Sequence, residues 1–172
     1  MKKIGLFGGS FDPIHKAHVE IAMCAIEQLQ LDEVQFIPTR HNPWKNQSCA
    51  NAKERLHMIH LAIQGNDKLT VNTIELDDDQ NQKNYTIHTL EKIIEKHPNN
   101  KYYYIMGMDQ ANAFDKWKKA KKISNLVQLV AFQRGGYEPL SDVLNQYHFL
   151  VLNNRPVYAS SSDVLFQARD YT

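Results

Sequence analysis

Between Gly8 and His18 the chain sets two glycines, a serine and two histidines within eleven residues, Gly8-Gly9-Ser10-Phe11-Asp12-Pro13-Ile14-His15-Lys16-Ala17-His18. A short apolar run, Ile4 to Phe7, precedes this segment and apolar residues at helical spacing follow it. The segment therefore reads as a strand-to-helix turn. Adjacent glycines there let the backbone come close to a phosphate, and the free N–H groups of a helix N-terminus favour an anion. Ser10 adds a hydroxyl donor. His15 and His18 stand three apart, so a helix starting near Pro13 would carry both on one face of its first turn. Two imidazoles beside a phosphate cradle donate hydrogen bonds to phosphoryl oxygens and stabilise charge that builds up during transfer. Two plainer readings stand beside this one: a tight turn for the glycines, and a partial zinc site for the histidines. Zinc needs further N or S ligands, and Cys24 and Cys49 are not placed in sequence to supply them. Neither the G-x-G-x-x-G dinucleotide fingerprint nor the Walker phosphate loop is present.

The elements that must hold this turn alternate between strand and helix periods. Strands are expected over residues 3–7, 33–38, 69–74, 101–106, 127–132 and 148–152. Helices are expected over 16–30, 52–64, 85–96, 110–122, 141–146 and 160–169. Such alternation implies an α/β fold with an open, doubly wound parallel sheet and helices on both faces. Ligands in such sheets sit beyond the carboxyl ends of the strands. The loops after Phe7, Pro38, Met106 and Phe132 are therefore where chemistry is expected.

Composition sets the outer limits. The 172 residues suit one domain over 1–172 and are enough to bury a real core. Twenty Lys+Arg against nineteen Asp+Glu leave a net charge of +1, so no global field points to nucleic acid or an anionic membrane. Hydrophobic content of 42% and charged content of 23% argue against disorder. No apolar stretch approaches membrane-spanning length and none makes a signal peptide, so a cytoplasmic location is expected.

Later segments carry motifs with readings of their own. Gly107-Met108-Asp109 at a strand end suits an acceptor for ribose hydroxyls, or an Asp capping the next helix. Trp117 offers a flat face to a heteroaromatic ring, though a Trp at helical spacing from Phe114 is more often core. Thr86 would stand at a helix start as an N-cap. Lys45 is either solvated or a mobile phosphate clamp. Five lysines over residues 116–122 read as a solvated helix face.

Gly8 to His18 resembles the nucleotidylyltransferase signature, a glycine-rich turn followed by H-x-G-H, with Ala17 in place of the glycine. Asn42-Pro43-Trp44-Lys45 resembles the P-P-H-K loop of bacterial nicotinate-nucleotide adenylyltransferases. Asn84-Tyr85-Thr86 with Thr89-Leu90 resembles their S-Y-T-x-x-T-L, and Gly107 through Trp117 matches their G-x-D-x-x-x-x-F-x-x-W. Arg134-Gly135-Gly136 resembles their R-P-G loop. The resemblance covers nearly the whole chain and implies a Rossmann-like sheet of the nucleotidylyltransferase type. It implies adenylyl transfer from ATP to nicotinate mononucleotide, giving nicotinate adenine dinucleotide and pyrophosphate, in NAD biosynthesis.

By the same resemblance His15 and His18 are catalytic. Gly8, Gly9, Ser10, Phe11, Gly107, Asp109, Ser160, Ser161 and Ser162 would bind ATP. Lys45, Tyr85, Thr86, Trp117 and Arg134 would bind nicotinate mononucleotide. Mg²⁺ would be carried by the ATP phosphates and water rather than by a carboxylate cage. A homo-oligomer is left open. One departure stands out: Leu165 occupies the place where the family's I-S-S-T-x-I-R has its arginine, with Arg169 one turn further on. Two other functions remain open from the residues: phosphopantetheine adenylyl transfer, and a nucleotide-binding module that has lost catalysis.

Overall fold

The computed structural model describes residues 1–40, 51–77 and 85–157. Six parallel strands form one sheet in the order β3-β2-β1-β4-β5-β6. They are β1 (Lys3–Gly9), β2 (Glu33–Pro38), β3 (Leu69–Val71), β4 (Lys101–Gly107), β5 (Gln128–Phe132) and β6 (Leu150–Val151). The helices are α1 (Lys16–Leu29), α2 (Ala52–Ile63), α3 (Ile74–Asp77), α4 (Thr86–Lys96), α5 (Met108–Asn112), α6 (Ala120–Leu126) and α7 (Ser141–Gln146), with a 3₁₀ turn over Phe114–Lys116. The doubly wound α/β expectation is met. The family's last motif, including Ser160, Ser161, Ser162, Leu165 and Arg169, and the Asn42–Lys45 loop lie outside the described residues.

Each face of the sheet has its own core, because side chains alternate along a strand. One core joins Phe7, Val34, Phe36, Tyr103, Ile105 and Val130 to Ile21 and Ala25 of α1 and Ile59 of α2. The other joins Leu6, Tyr102, Tyr104, Met106 and Leu129 to Ile87 and Leu90 of α4 and to Phe114, Trp117 and Ile123. The chain thus crosses from one face to the other between β3 and β4. The carboxyl ends of the neighbouring strands β1 and β4 mark the switch point, where such sheets open a crevice.

Four expectations are corrected. β1 runs on to Gly9, pairing with β2 through Gly8↔Ile37 and Gly9↔Pro38. β3 ends at Val71, and Ile74 instead starts the one-turn α3, after an Asn72 side chain that accepts from the Ile74 N–H at 3.0 Å. β6 is two residues long. The single helix expected over residues 110–122 is broken into α5, the 3₁₀ turn and α6. Trp117 is extended (φ −72°, ψ 148°) and Lys119 is left-handed (φ 55°), so the helical pattern is interrupted where the indole turns into the core.

Candidate active site

Helix α1 starts at Lys16, three residues later than Pro13, so His15 is its N-cap and His18 its third residue. The two histidines therefore do not share a first turn as expected; they cap it. The His15 backbone N–H donates to Nδ1 of His18 at 2.8 Å, the part a Glu plays in a capping box. Their rings stack at 5.4 Å between centroids, 18° from parallel. With Nδ1 accepting, the proton of a neutral His18 ring belongs on Nε2, so this edge is a donor. The edges of Phe11 and Phe7 hold the same ring at 5.2 and 6.0 Å. Rotamer and tautomer are thus set by backbone and aromatic packing together. His15 is exposed and His18 half-buried.

The turn before them is equally built. A Cβ at Gly8 would lie 2.9 Å from the Tyr104 hydroxyl, so a side chain there would have to push the end of that tyrosine aside. Phe11 is left-handed (φ 47°) and its ring is 2% exposed, wedged among Phe7, Phe36 and His18. What the turn offers a ligand at this position is its backbone. Ser10 is buried, and its carbonyl accepts from Arg55 Nη1 at 2.9 Å.

Across the switch point, β4 leads into α5 at Gly107, which is itself the N-cap. Asp109 is therefore not the cap; its Oδ1 meets Arg134 Nη1 at 3.4 Å, with both side chains largely buried. A Cβ on Gly107 would fall 2.6 Å from Arg134 Cδ and 2.7 Å from Asp109 Oδ1. Glycine at 107 is what lets that pair close over the strand end. Arg134 also forms a bridge to Val157 through its backbone. Trp117 is 2% exposed, with Phe114 at 5.1 Å and Tyr104 at 6.3 Å against its ring. Its indole N–H is buried and has no hydrogen-bond partner among the described residues.

Tyr85, not Thr86, is the N-cap of α4, and its own side chain makes no capping hydrogen bond. Thr86 is buried as the first helical residue, while the half-buried Tyr85 ring has Lys118 Nζ 4.6 Å above it. Lys45 and the three serines lie outside the described residues. The structure thus gathers Gly8 and Gly9 at the end of β1, Ser10 just after it and His15 and His18 at the start of α1, and Gly107, Asp109 and Arg134 at the ends of β4 and β5.

Two buried polar groups escaped the sequence reading. Arg55 is the largest fully buried side chain, and Glu75 is buried with Thr89 Oγ1 donating to it at 3.2 Å. A signal for Arg55 was present. It stands four and eight residues before Ile59 and Ile63, so a cation sits in the apolar stripe of α2. Its neighbour Leu56 is only half-buried. No three His, Cys, Asp or Glu side chains group at metal-binding distance among the described residues.

A cytidylyltransferase-like family model matches residues 6–165. The chain is 32% identical over 166 residues to a protein of Bacillus licheniformis described as "Probable nicotinate-nucleotide adenylyltransferase", covering 96% of this chain and 84% of the relative. A protein of Clostridium novyi with the same description is 39% identical over 148 residues, covering 85% of this chain and 72% of the relative. Among solved structures, the nicotinic acid mononucleotide adenylyltransferase of Plasmodium falciparum complexed with NaAD aligns at a TM-score of 0.74 and 21% identity, covering 90% of this chain and 77% of the other. That last likeness is one of fold. Sequence matches spanning both sides of the switch point are what place this chain in the cytidylyltransferase-like family, among the nicotinate-nucleotide adenylyltransferases.

Proposed function

We propose that this protein transfers the adenylyl group of ATP to nicotinate mononucleotide, releasing pyrophosphate and forming nicotinate adenine dinucleotide. The observation that carries this reading is the histidine pair fixed at the start of α1, directly after the Gly8-Gly9 turn at the switch point. The mononucleotide phosphate is the nucleophile and is already anionic, so no strong general base is needed. One of its oxygens bonds to the α-phosphorus of ATP as the bond to the β-phosphate bridge breaks, and pyrophosphate leaves with that electron pair. Catalysis is then positioning and charge stabilisation. Backbone N–H groups of the turn and the α1 N-terminus receive phosphates, and Nε2–H of His18 faces the charge that develops on the transferred group. Mg²⁺ enters as part of the triphosphate substrate.

Asp109 is placed to accept from a ribose hydroxyl once Arg134 yields part of their contact. The acid form of the pyridine is the preferred acceptor. The Tyr85 side chain does not cap α4, and a carboxylate suits the N–H groups of a helix start, whereas an amide would present its own donors there. Pyrophosphate release with ATP plus nicotinate mononucleotide, nicotinamide mononucleotide or phosphopantetheine in turn tests the whole reading. Release is expected with the first, and at much lower efficiency with the other two. Equal efficiency with both pyridine nucleotides overturns the acid preference, and release only with phosphopantetheine overturns the function.

A further inference from the structure

Just past the paired ends of β1 and β2, two backbone carbonyls lie beyond the ladder. Pairing holds to Gly9↔Pro38, and the Thr39 N–H still reaches the Gly9 carbonyl at 2.9 Å. One step further on, the carbonyls of Ser10 and Thr39 turn away from the sheet. Both are met by a single nitrogen: Arg55 Nη1 donates to Ser10 O at 2.9 Å and to Thr39 O at 2.7 Å. The guanidinium reaches them from α2 and is 1% exposed, with Ser10 and Thr39 buried around it.

A buried carbonyl without a donor costs free energy, and a buried cation without partners costs more, so the three groups hold one another in place. A planar guanidinium offers its two Nη1 hydrogens at fixed angles. The separation of the two carbonyls is therefore set by the side chain rather than by the loops themselves. Ser10 belongs to the turn that receives phosphates, and Thr39 ends the strand beside it.

We infer that Arg55 is a positioning residue for adenylyl transfer: it fixes the spread of the β1 and β2 ends, and through Ser10 the phosphate-binding turn that aligns the reacting phosphates. It touches no substrate. Its action is on the alignment of bound reactants, so its loss falls on kcat at saturation rather than on KM. Misplacement of about 1 Å in such a constellation costs on the order of 10²-fold.

This rests on the adenylyl-transfer reading. The test compares wild type with Arg55→Met and Arg55→Lys in the same pyrophosphate-release assay, well below each melting temperature and normalised to folded protein. Arg55→Met, similar in length but without donors, is expected to lose about 10²-fold in kcat with KM changed only a few-fold. Arg55→Lys keeps charge and donors on a shorter stem and is expected to lose about tenfold, recovering part of the Met loss. A purely structural Arg55 would lower the melting temperature and leave kcat of the folded protein unchanged. Wild-type kcat in either folded variant, a change confined to KM, or equal kcat loss in both variants overturns the inference. Should Arg55→Met not fold, Arg55→Lys alone decides by the same kcat criterion. An inactive wild type would instead overturn the adenylyl-transfer reading.

Discussion

The two halves of the crevice are built on opposite plans. On the α1 and α2 side, polar groups are fixed and presented: His15 exposed, His18 held by a backbone N–H, the turn pinned from beneath by Arg55. On the α4 to α6 side, the equivalent groups are folded against one another. Trp117 packs on Phe114 and Tyr104, Thr86 is buried at the start of α4, and Arg134 meets Asp109. A phosphate is recognised by donors that must be rigid before it arrives, since their value lies in not having to reorganise. A flat ring is recognised by apolar area, and apolar area left open to water is itself unfavourable, so it is packed until something displaces the contact. On the proposed function, the first half is ready for its ligand, and the second half has to exchange its own contacts for those of a ligand.

The contrast can be broken most sharply at His18. His18→Ala removes the donor and also the acceptor that holds the His15 N–H, and kcat is expected to fall by about 10²–10³. The same half-exposed position carries little core weight, so the melting temperature should move only slightly. Steady-state kinetics beside a thermal melt check both, and near-normal turnover would remove His18 from the chemistry.

On the opposite side, Gly107→Ala puts a methyl where Arg134 Cδ and Asp109 Oδ1 already stand. The pair must separate, and overpacking of this kind costs about 1–3 kcal/mol. KM for the nucleotide held there is expected to rise about tenfold, the weight of a lost charge-assisted bond of about 1.5–3 kcal/mol after partial compensation. Unchanged KM with a lowered melting temperature would mean that the Asp109–Arg134 contact serves the fold alone.

Trp117→Phe sharpens the difference between the halves. Phenylalanine keeps the packing against Phe114 and Tyr104 but removes the N–H that has no partner among the described residues. Removing an unsatisfied buried donor offsets part of the cavity left behind, so stability is expected to fall by only about 1 kcal/mol. KM for nicotinate mononucleotide is expected to rise several-fold with KM for ATP unchanged, measured by varying each substrate in turn. A rise in the ATP KM instead would assign the indole to the other nucleotide.

The smallest effect concerns the rim of that half. The bond from Lys122 at 3.1 Å, then Lys122 and His88 as neighbouring charges, holds the Glu91 carboxyl below its ordinary range. A lowered folded-state value gives stability above the usual carboxylate range that is lost as pH falls through the lowered value. The pair is exposed, so Glu91→Gln should cost no more than about 0.5 kcal/mol near neutral pH, with the difference from wild type vanishing in acid. Chemical melts at two pH values read it directly.

Much of the fold was legible because its signals are local. Among the described residues the 2-residue and 3.6-residue periods marked the six strands and the three long helices α1, α2 and α4, and the Gly-Gly segment with its two histidines marked the candidate site's first part. The misses have separate causes. Residues 110–122 have helical spacing, yet Lys119 is left-handed and Trp117 extended, because burying an indole outweighs continuing a helix whose exposed face is lysine. His15 was placed one turn too far into α1 because the sequence names a cap only by residue type, and here the cap is completed by an imidazole in the place of a Glu.

By itself the sequence determined the order of elements, the parallel doubly wound sheet, the glycine-rich segment with its two histidines and the family whose motifs it carries. Those follow from hydrophobic period and from residue types at short spacing, which need no partner from elsewhere in the chain. Tertiary structure alone decided which groups meet within each half of the crevice. Asp109 reaches Arg134 from twenty-five residues away, and Arg55 reaches Ser10 across forty-five and Thr39 across sixteen. No local rule selects those partners: a cation in the apolar stripe of a helix is unfavourable until the carbonyls of Ser10 and Thr39 are brought to it.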